Sequence, residues 1–167
     1  MLPNNGNILL TAKQAGALYK NADIRVLNSR NIGEGYAALS MLSYDSGDAD
    51  CIAGLLGEAM EGVKTGMISR AVRDSVCNNV KIQKGDHIAF TDGAVLGTAK
   101  DRVEAATALL EKLQLQKHKI LIAVYGSDFS ANEREVFKNI VTSTYGNTEL
   151  YELDGEQKVY DLIVILE

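Results

Sequence analysis

The sequence is short of the residues that crosslink small proteins or bind metals. Its 167 residues include one proline, two cysteines, two histidines and no tryptophan. Cys51 and Cys77 are too few and too far apart for a disulfide framework, so we interpret both as free thiols in a reducing compartment. His87 and His118 show no ligand spacing with either cysteine and no triad-like arrangement. The sequence therefore predicts neither a metal site nor a catalytic residue.

Long apolar runs and an excess of positive charge are also missing. No run is long enough to span a bilayer, and Met1-Leu2-Pro3 lacks the regions of a signal peptide. The net charge of −5 disfavours nucleic acid and anionic membrane surfaces, because both are negatively charged. Hydrophobic residues make up 46% of the chain, enough for a real core. We expect a cytoplasmic protein with no transmembrane segment and no nucleic-acid partner.

The pattern of the first 46 residues predicts helix, strand, helix, over 7–21, 24–27 and 32–42. Leu2-Pro3 resembles the end of a strand, so this part is interpreted as a parallel βαβ unit that begins in mid-fold. We expect the chain to be the C-terminal piece of a larger protein. The polar segment 44–50 predicts a boundary between a first α/β lobe, 1–46, and a second lobe, 47–167.

The second lobe is predicted to be a mixed α/β sandwich that contains an antiparallel meander. A helix is predicted over 51–63, and the capping boxes at Asp101-x-x-Glu104 and Ser130-x-x-Glu133 predict two more. Short strands are predicted over 67–75, 80–82, 87–91, 94–98, 120–124, 150–153 and 162–166.

Two strand-to-helix junctions are the best candidates for a binding site. Asn4 and Asn5 follow the first strand, and Ser29 and Arg30 follow the second. At the carboxyl edges of adjacent parallel strands, these residues would form a crevice for a carboxylate or phosphate, with charge supplied by Arg30. The alternative, that they are only caps and turns, is equally consistent with the sequence.

Other polar candidates have competing structural interpretations. Arg70 is expected to pair with Asp74, with Arg73 on the opposite face, although an arginine that faces a partner remains the alternative. Gly126 and Ser127 follow a buried strand and form another possible crevice. The pattern Gly33-x-Gly35-x-x-Ala38 resembles a dinucleotide fingerprint, but the acid expected after the next strand is missing.

Four segments carry a resemblance over nearly the whole chain. They are LPNNGNI, VKTGMISRAVRDS, IQKGDHIAFTDG and the ending GEQKVYDLIVILE. In this order they resemble the C-terminal domain of the YloV/FakA family, the ATP-binding subunit of bacterial fatty acid kinase.

The resemblance implies a DegV-like fold and a division of labour between domains. ATP and magnesium are expected in an N-terminal kinase domain that this chain lacks, so no cofactor is expected here. The implied partner is a DegV-type fatty-acid-binding protein that presents the acyl carboxylate for phosphorylation, and a homodimer is also expected. The chain alone is expected to be inactive. In the alternative hypothesis, the DegV-like lobes bind a fatty acid or another small molecule themselves.

The chain departs from the family pattern at two places. The family usually has Ile-Pro-Gln-Gly where this chain has Ile32-Gly33-Glu34-Gly35, and Gln-Pro where it has Gln157-Lys158. If either segment forms a contact surface, the partner preference of this chain differs from that of its relatives.

Overall fold

The computed structural model describes residues 1–43, 45 and 47–167, which form two compact units, Met1–Lys64 and Thr65–Glu167. The helices are α1 (Leu9–Leu18), α2 (Ile32–Ser40), α3 (Ala49–Glu61), α4 (Arg102–Leu113) and α5 (Ala131–Thr144), with a 3₁₀ turn at Leu115–Lys117. The strands are β1 (Lys64–Arg70), β2 (Ser75–Cys77), β3 (Val80–Ile82), β4 (His87–Phe90), β5 (Val95–Ala99), β6 (Ile120–Tyr125), β7 (Glu149–Asp154) and β8 (Tyr160–Leu166).

The first unit is helical in its described residues. No strand forms over 24–27, where the sequence predicts one. This segment instead bonds to Met1 at two points: Leu27 N donates to the Met1 carbonyl at 3.1 Å, and the Met1 amino group donates to the Arg25 carbonyl at 2.6 Å. Both of these bonds go to Met1, so the pairing is too short for a ladder.

The start of α1 also differs from the prediction. Asn4 and Asn5 were the expected caps, but Ile8 occupies the cap position and makes no side-chain cap bond. Asp48 caps α3, because its carboxylate accepts from Cys51 N at 2.8 Å.

The predicted boundary after residue 46 differs from the division into compact units. Position 46 lies outside the described residues, and the units divide after Lys64. Helix α3 therefore belongs with the first unit, where it packs against α2.

A six-stranded mixed sheet organises the second unit, in the order β5-β4-β1-β8-β6-β7. The meander is confirmed, since β1 pairs antiparallel with β4 and β4 with β5. Strand β6 runs parallel to β7 and antiparallel to β8. The predicted strand over 67–75 is interrupted, because β1 ends at Arg70 and β2 pairs with β3 in a separate small sheet. The mixed α/β fold class is confirmed.

The core of the second unit lies between the sheet and the two helices α4 and α5. Leu109, Phe137, Leu121 and Val164 are buried there, one from each of α4, α5, β6 and β8. The N-cap bonds of Asp101 and Ser130 start α4 and α5 where the sequence predicts them. None of the helices in the described part of the chain has the length and apolarity that a bilayer crossing requires.

Candidate functional site

The start of α2 places an acidic side chain against Arg30. Asn31 caps the helix by accepting from Glu34 N at 2.9 Å. The Glu34 carboxylate turns back, accepts from Arg30 N at 2.6 Å, and lies 3.1 Å from Arg30 Nη2. Because a carboxylate of the chain itself takes up the Arg30 backbone N–H, this helix start already binds an anion internally.

The structure brings two other predicted residues together beside this helix start. Asn4 N donates to the Oγ of the fully buried Ser29 at 3.0 Å. Asn4 has a φ of 54°. Its side-chain oxygen is buried without a hydrogen-bond partner among the described residues. Gly35 makes room for that side chain, since a Cβ at position 35 would lie 2.1 Å from Asn4 Oδ1. Asn5 is exposed and forms a local turn by accepting from Asn7 N at 2.9 Å.

A concave pocket of about 610 Å³ adjoins Arg30 in the first unit. Its apolar wall includes Leu9, Leu27 and Met60, and its charged side chains are Arg30, Glu34 and Glu61. Two carboxylates against one guanidinium disfavour an anionic head group, since Arg30 already pairs with Glu34.

The arginines at positions 30, 70 and 73 differ in whether they have an acidic partner. Arg70 and Arg73 are exposed, and among the residues that the structure describes neither forms an ion pair. The expected Arg70–Asp74 pair is therefore wrong, because β1 ends at Arg70 and the Asp74 carboxylate accepts from Lys84 N at 2.6 Å instead. Arg30, which the sequence placed in the crevice as its source of charge, pairs with Glu34.

The junction after β6 is closed. Gly126 N donates to the Asp161 carbonyl at 2.9 Å, and Ser127 N donates to the Gln157 carbonyl at 3.1 Å. Both backbone donors that a crevice would offer to a ligand are therefore used within the chain.

A largely buried network of ionisable side chains was not predicted from the sequence. His87 Nδ1 lies 2.8 Å from Asp161 Oδ2, and Arg102 Nε lies 3.3 Å from Asp161 Oδ1. Arg102 Nη1 continues to Glu133 at 3.0 Å. The Arg102–Asp161 contact is an ion pair without hydrogen-bond geometry, since Arg102 Nε is buried and has no hydrogen-bond partner in the described part of the chain.

This network of side chains joins residues at or near the starts of β4, β8, α4 and α5. Burial acts to raise the pKa of Glu133, but hydrogen bonds from Ser130 and Arg102 outweigh it and hold the pKa below its usual value. His87 bonds to no serine, threonine or cysteine side chain in the part of the chain that the structure describes. Among the described residues, the network therefore lacks the nucleophile of a triad.

A signal for this pair was present in the sequence. His87 lies in IQKGDHIAFTDG and Asp161 in GEQKVYDLIVILE, two of the segments that carry the family resemblance. Each is a polar residue at the start of an apolar strand, where a side chain at the sheet margin needs a buried partner. Their separation of 74 residues hid the contact.

Comparison with known proteins identifies the family. A family model for the C-terminal region of FakA-like fatty acid kinase proteins matches residues 1–167. The chain belongs to the FakA-like C-terminal family. Protein YloV of Bacillus subtilis is 29% identical over 167 residues, which cover 100% of this chain and 30% of that protein. An uncharacterized protein of Staphylococcus haemolyticus, SH1689, is 30% identical over 168 residues, with the same coverage of each chain. The chain thus spans about 30% of the length of the curated relatives it matches.

Solved structures of DegV proteins share the fold of this family member. A DegV family protein, Cg2579 of Corynebacterium glutamicum, superposes with a TM-score of 0.64 at 14% identity, over 97% of this chain and 72% of that one. DegV of Bacillus subtilis, a fatty acid binding protein, superposes with a TM-score of 0.60 at 12% identity, over 99% and 68%. The DegV-like fold predicted from the sequence is confirmed.

Proposed function

We propose that this chain is the C-terminal domain of the ATP-binding subunit of a cytoplasmic bacterial fatty acid kinase. It docks a DegV-type fatty-acid-binding protein, or pairs with a second copy of itself, so that a kinase domain elsewhere in the longer protein phosphorylates the acyl carboxylate. The acyl phosphate then enters phospholipid synthesis. Family membership and the 30% coverage of the relatives support a domain that acts within a larger protein.

The observation that carries the docking proposal is the exposed apolar surface of α1. This helix, LLTAKQAGAL, has no buried residue, and Leu10 and Leu18 are 67% and 79% exposed. Tyr36 and Leu39 of α2 are also exposed. Exposed large apolar side chains on these two helices support a surface that another protein covers.

The first prediction tests this surface. Replacing Leu10 and Leu18 together with alanine keeps helix propensity and removes apolar area. We expect affinity for the cognate DegV-type protein, measured by surface plasmon resonance, to fall by about tenfold or more. If a dimer uses the same helix, light scattering will also show a lower mass.

The matched control replaces Val72 and Val76, which are 81% and 73% exposed in the second unit, with alanine. This control is expected to bind as the unchanged chain does. Equal affinity of the α1 variant and the control would contradict the assignment of α1 to the docking surface.

Arg30 is the second test of the docking proposal. Its side chain is 65% exposed, so its pair with Glu34 contributes at most about 1 kcal/mol to stability. We expect Arg30→Ala to cost about 1–3 kcal/mol of binding to the DegV-type protein while the melting temperature changes little. Lys117→Ala is the control for loss of one exposed positive charge. Unchanged affinity would show that Arg30 is not an interface anchor, and a large loss of stability would show that it is structural.

The third prediction concerns nucleotide. No three His, Cys, Asp or Glu side chains within the described ranges form a group that would hold a metal ion. The sequence also lacks a Walker loop. We expect calorimetric titration of this chain with Mg-ATP to give no saturable heat in the micromolar range. Saturable micromolar binding would place nucleotide chemistry in this domain.

A small-molecule-binding module is the second candidate function, favoured by the pocket beside Arg30. Its volume of about 610 Å³ is within the range of ligand sites. Gly57 lines this pocket, and a Cβ added there meets nothing within 4 Å, so we expect Gly57→Leu to take up part of the pocket. Because the charged lining disfavours an anion, the probe is an uncharged long-chain alcohol, and saturable binding that Gly57→Leu abolishes would favour this candidate over docking.

A further inference from the structure

A groove between α4 and α5 has an apolar floor. It encloses about 540 Å³, and its apolar lining residues are Val103, Ala108, Val136 and Ile140. Val136 is 44% exposed although it lies on a helix whose other face packs in the core. Val136 and Ile140 are one helical turn apart, so they form a continuous apolar ridge along α5.

The charged side chains that line this groove are all acidic. They are Asp101, Glu104, Glu111 and Glu133, and the described lining contains no lysine or arginine. Asp101 is engaged as the cap of α4, and Glu133 pairs with Arg102. Glu104 and Glu111 are exposed and form no ion pair with any residue of the described ranges.

The spacing of Glu104 and Glu111 fits one kind of ligand. Seven residues correspond to two helical turns, so Glu104 and Glu111 lie on one side of α4 with their Cα atoms about 10 Å apart along the helix axis. Within the described ranges they belong to no group of side chains that would hold a metal ion. The negative charge of these two residues, which no ion pair in that part of the chain offsets, also repels a fatty acid, a phosphate or an anionic lipid surface.

The apolar floor and the two exposed glutamates together fit one kind of ligand. It is a helix with apolar residues on one side and basic residues at a two-turn spacing. Its apolar residues would cover Val136 and Ile140, and its lysines or arginines would reach Glu104 and Glu111. We propose that the α4–α5 groove binds a basic amphipathic helix of a partner protein. This inference does not depend on the surface of α1, so its failure would leave the docking proposal above intact.

The test uses a fluorescein-labelled amphipathic peptide of leucine and lysine, about 15 residues long, and its leucine–glutamate counterpart. Fluorescence anisotropy with the full chain is expected to show saturable binding of the lysine peptide only. Glu104→Gln/Glu111→Gln is expected to weaken that binding about tenfold, with a smaller salt dependence. Val136→Ser is expected to weaken binding of the lysine peptide because it makes the apolar floor more polar without changing its charge.

The matched control is Glu135→Gln/Glu156→Gln, which removes the same charge from exposed positions of the same unit that do not line the groove. It is expected to change affinity less than about twofold. Thermal melts check that all variants are folded. The proposal is overturned if the control weakens binding as much as the groove variant, if the groove variant binds normally, or if the glutamate peptide binds equally well.

Discussion

Replacing Asp161 with alanine is expected to lower the free energy of unfolding of this protein by about 3–5 kcal/mol. The Asp161 side chain is 10% exposed and lies between His87 and Arg102, whose side chains are 11% and 14% exposed. Removing the carboxylate leaves His87 Nδ1 and Arg102 Nε without their charged partner, at positions with little exposure to solvent. A thermal or urea melt measures the effect.

Asp154→Ala is the matched control for this prediction. Asp154 also pairs with an arginine, Arg134, but its side chain is 71% exposed. Because water can solvate Arg134 when the carboxylate is removed, we expect the free energy of unfolding to change by less than about 1 kcal/mol. If Asp161→Ala and Asp154→Ala lower the free energy of unfolding equally, burial of the Asp161 network does not add to stability as we infer.

Replacing Gly126 with alanine is also expected to have a large effect, lowering the free energy of unfolding by about 3 kcal/mol or more. A Cβ at position 126 would lie 2.3 Å from the Tyr160 carbonyl oxygen and 2.8 Å from that of Gln157. These are backbone atoms at the entry to β8, which cannot move away as a flexible side chain does. For a chain of this size, the melting temperature should fall by about 6–12 °C.

Gly97→Ala separates this clash from the general effect of adding a methyl group. Gly97 lies in β5, and a Cβ there meets nothing within 4 Å. We expect Gly97→Ala to change the free energy of unfolding by less than about 0.5 kcal/mol. A normal melting temperature for Gly126→Ala would show that the β6–α5 junction tolerates a wider separation from β8.

Local signals predicted the elements of the second unit well. The apolar run at 120–124 became β6, and the boxes at Asp101 and Ser130 became the starts of α4 and α5. Such signals act within a few residues, so they are complete in the sequence. The extent of β1 was not predictable in the same way, because the apolar pattern continued past Arg70 while the pairing partner β4 ended.

The candidate site was predicted in part. The proximity of Asn4 and Ser29 followed from their positions after two extended segments, and the structure joins them by a hydrogen bond. The use of Glu34 as the internal partner of Arg30 was not predicted, although Glu34 lies only four residues further along the chain. Its carboxylate both accepts from Arg30 N and pairs with the guanidinium, and the geometry of the helix start brings the two contacts together.

By itself, the sequence determined the family, the α/β class, the free thiols and most helix and strand positions, because motifs and periodicities are local. Only the tertiary structure decided that His87 meets Asp161, that Arg30 rather than Arg70 has an ion pair among the described residues, and that α1 exposes its leucines. These outcomes depend on which residues distant in the chain come within a few ångströms. Burial and electrostatic pairing are set by that proximity, and no spacing along the chain encodes it.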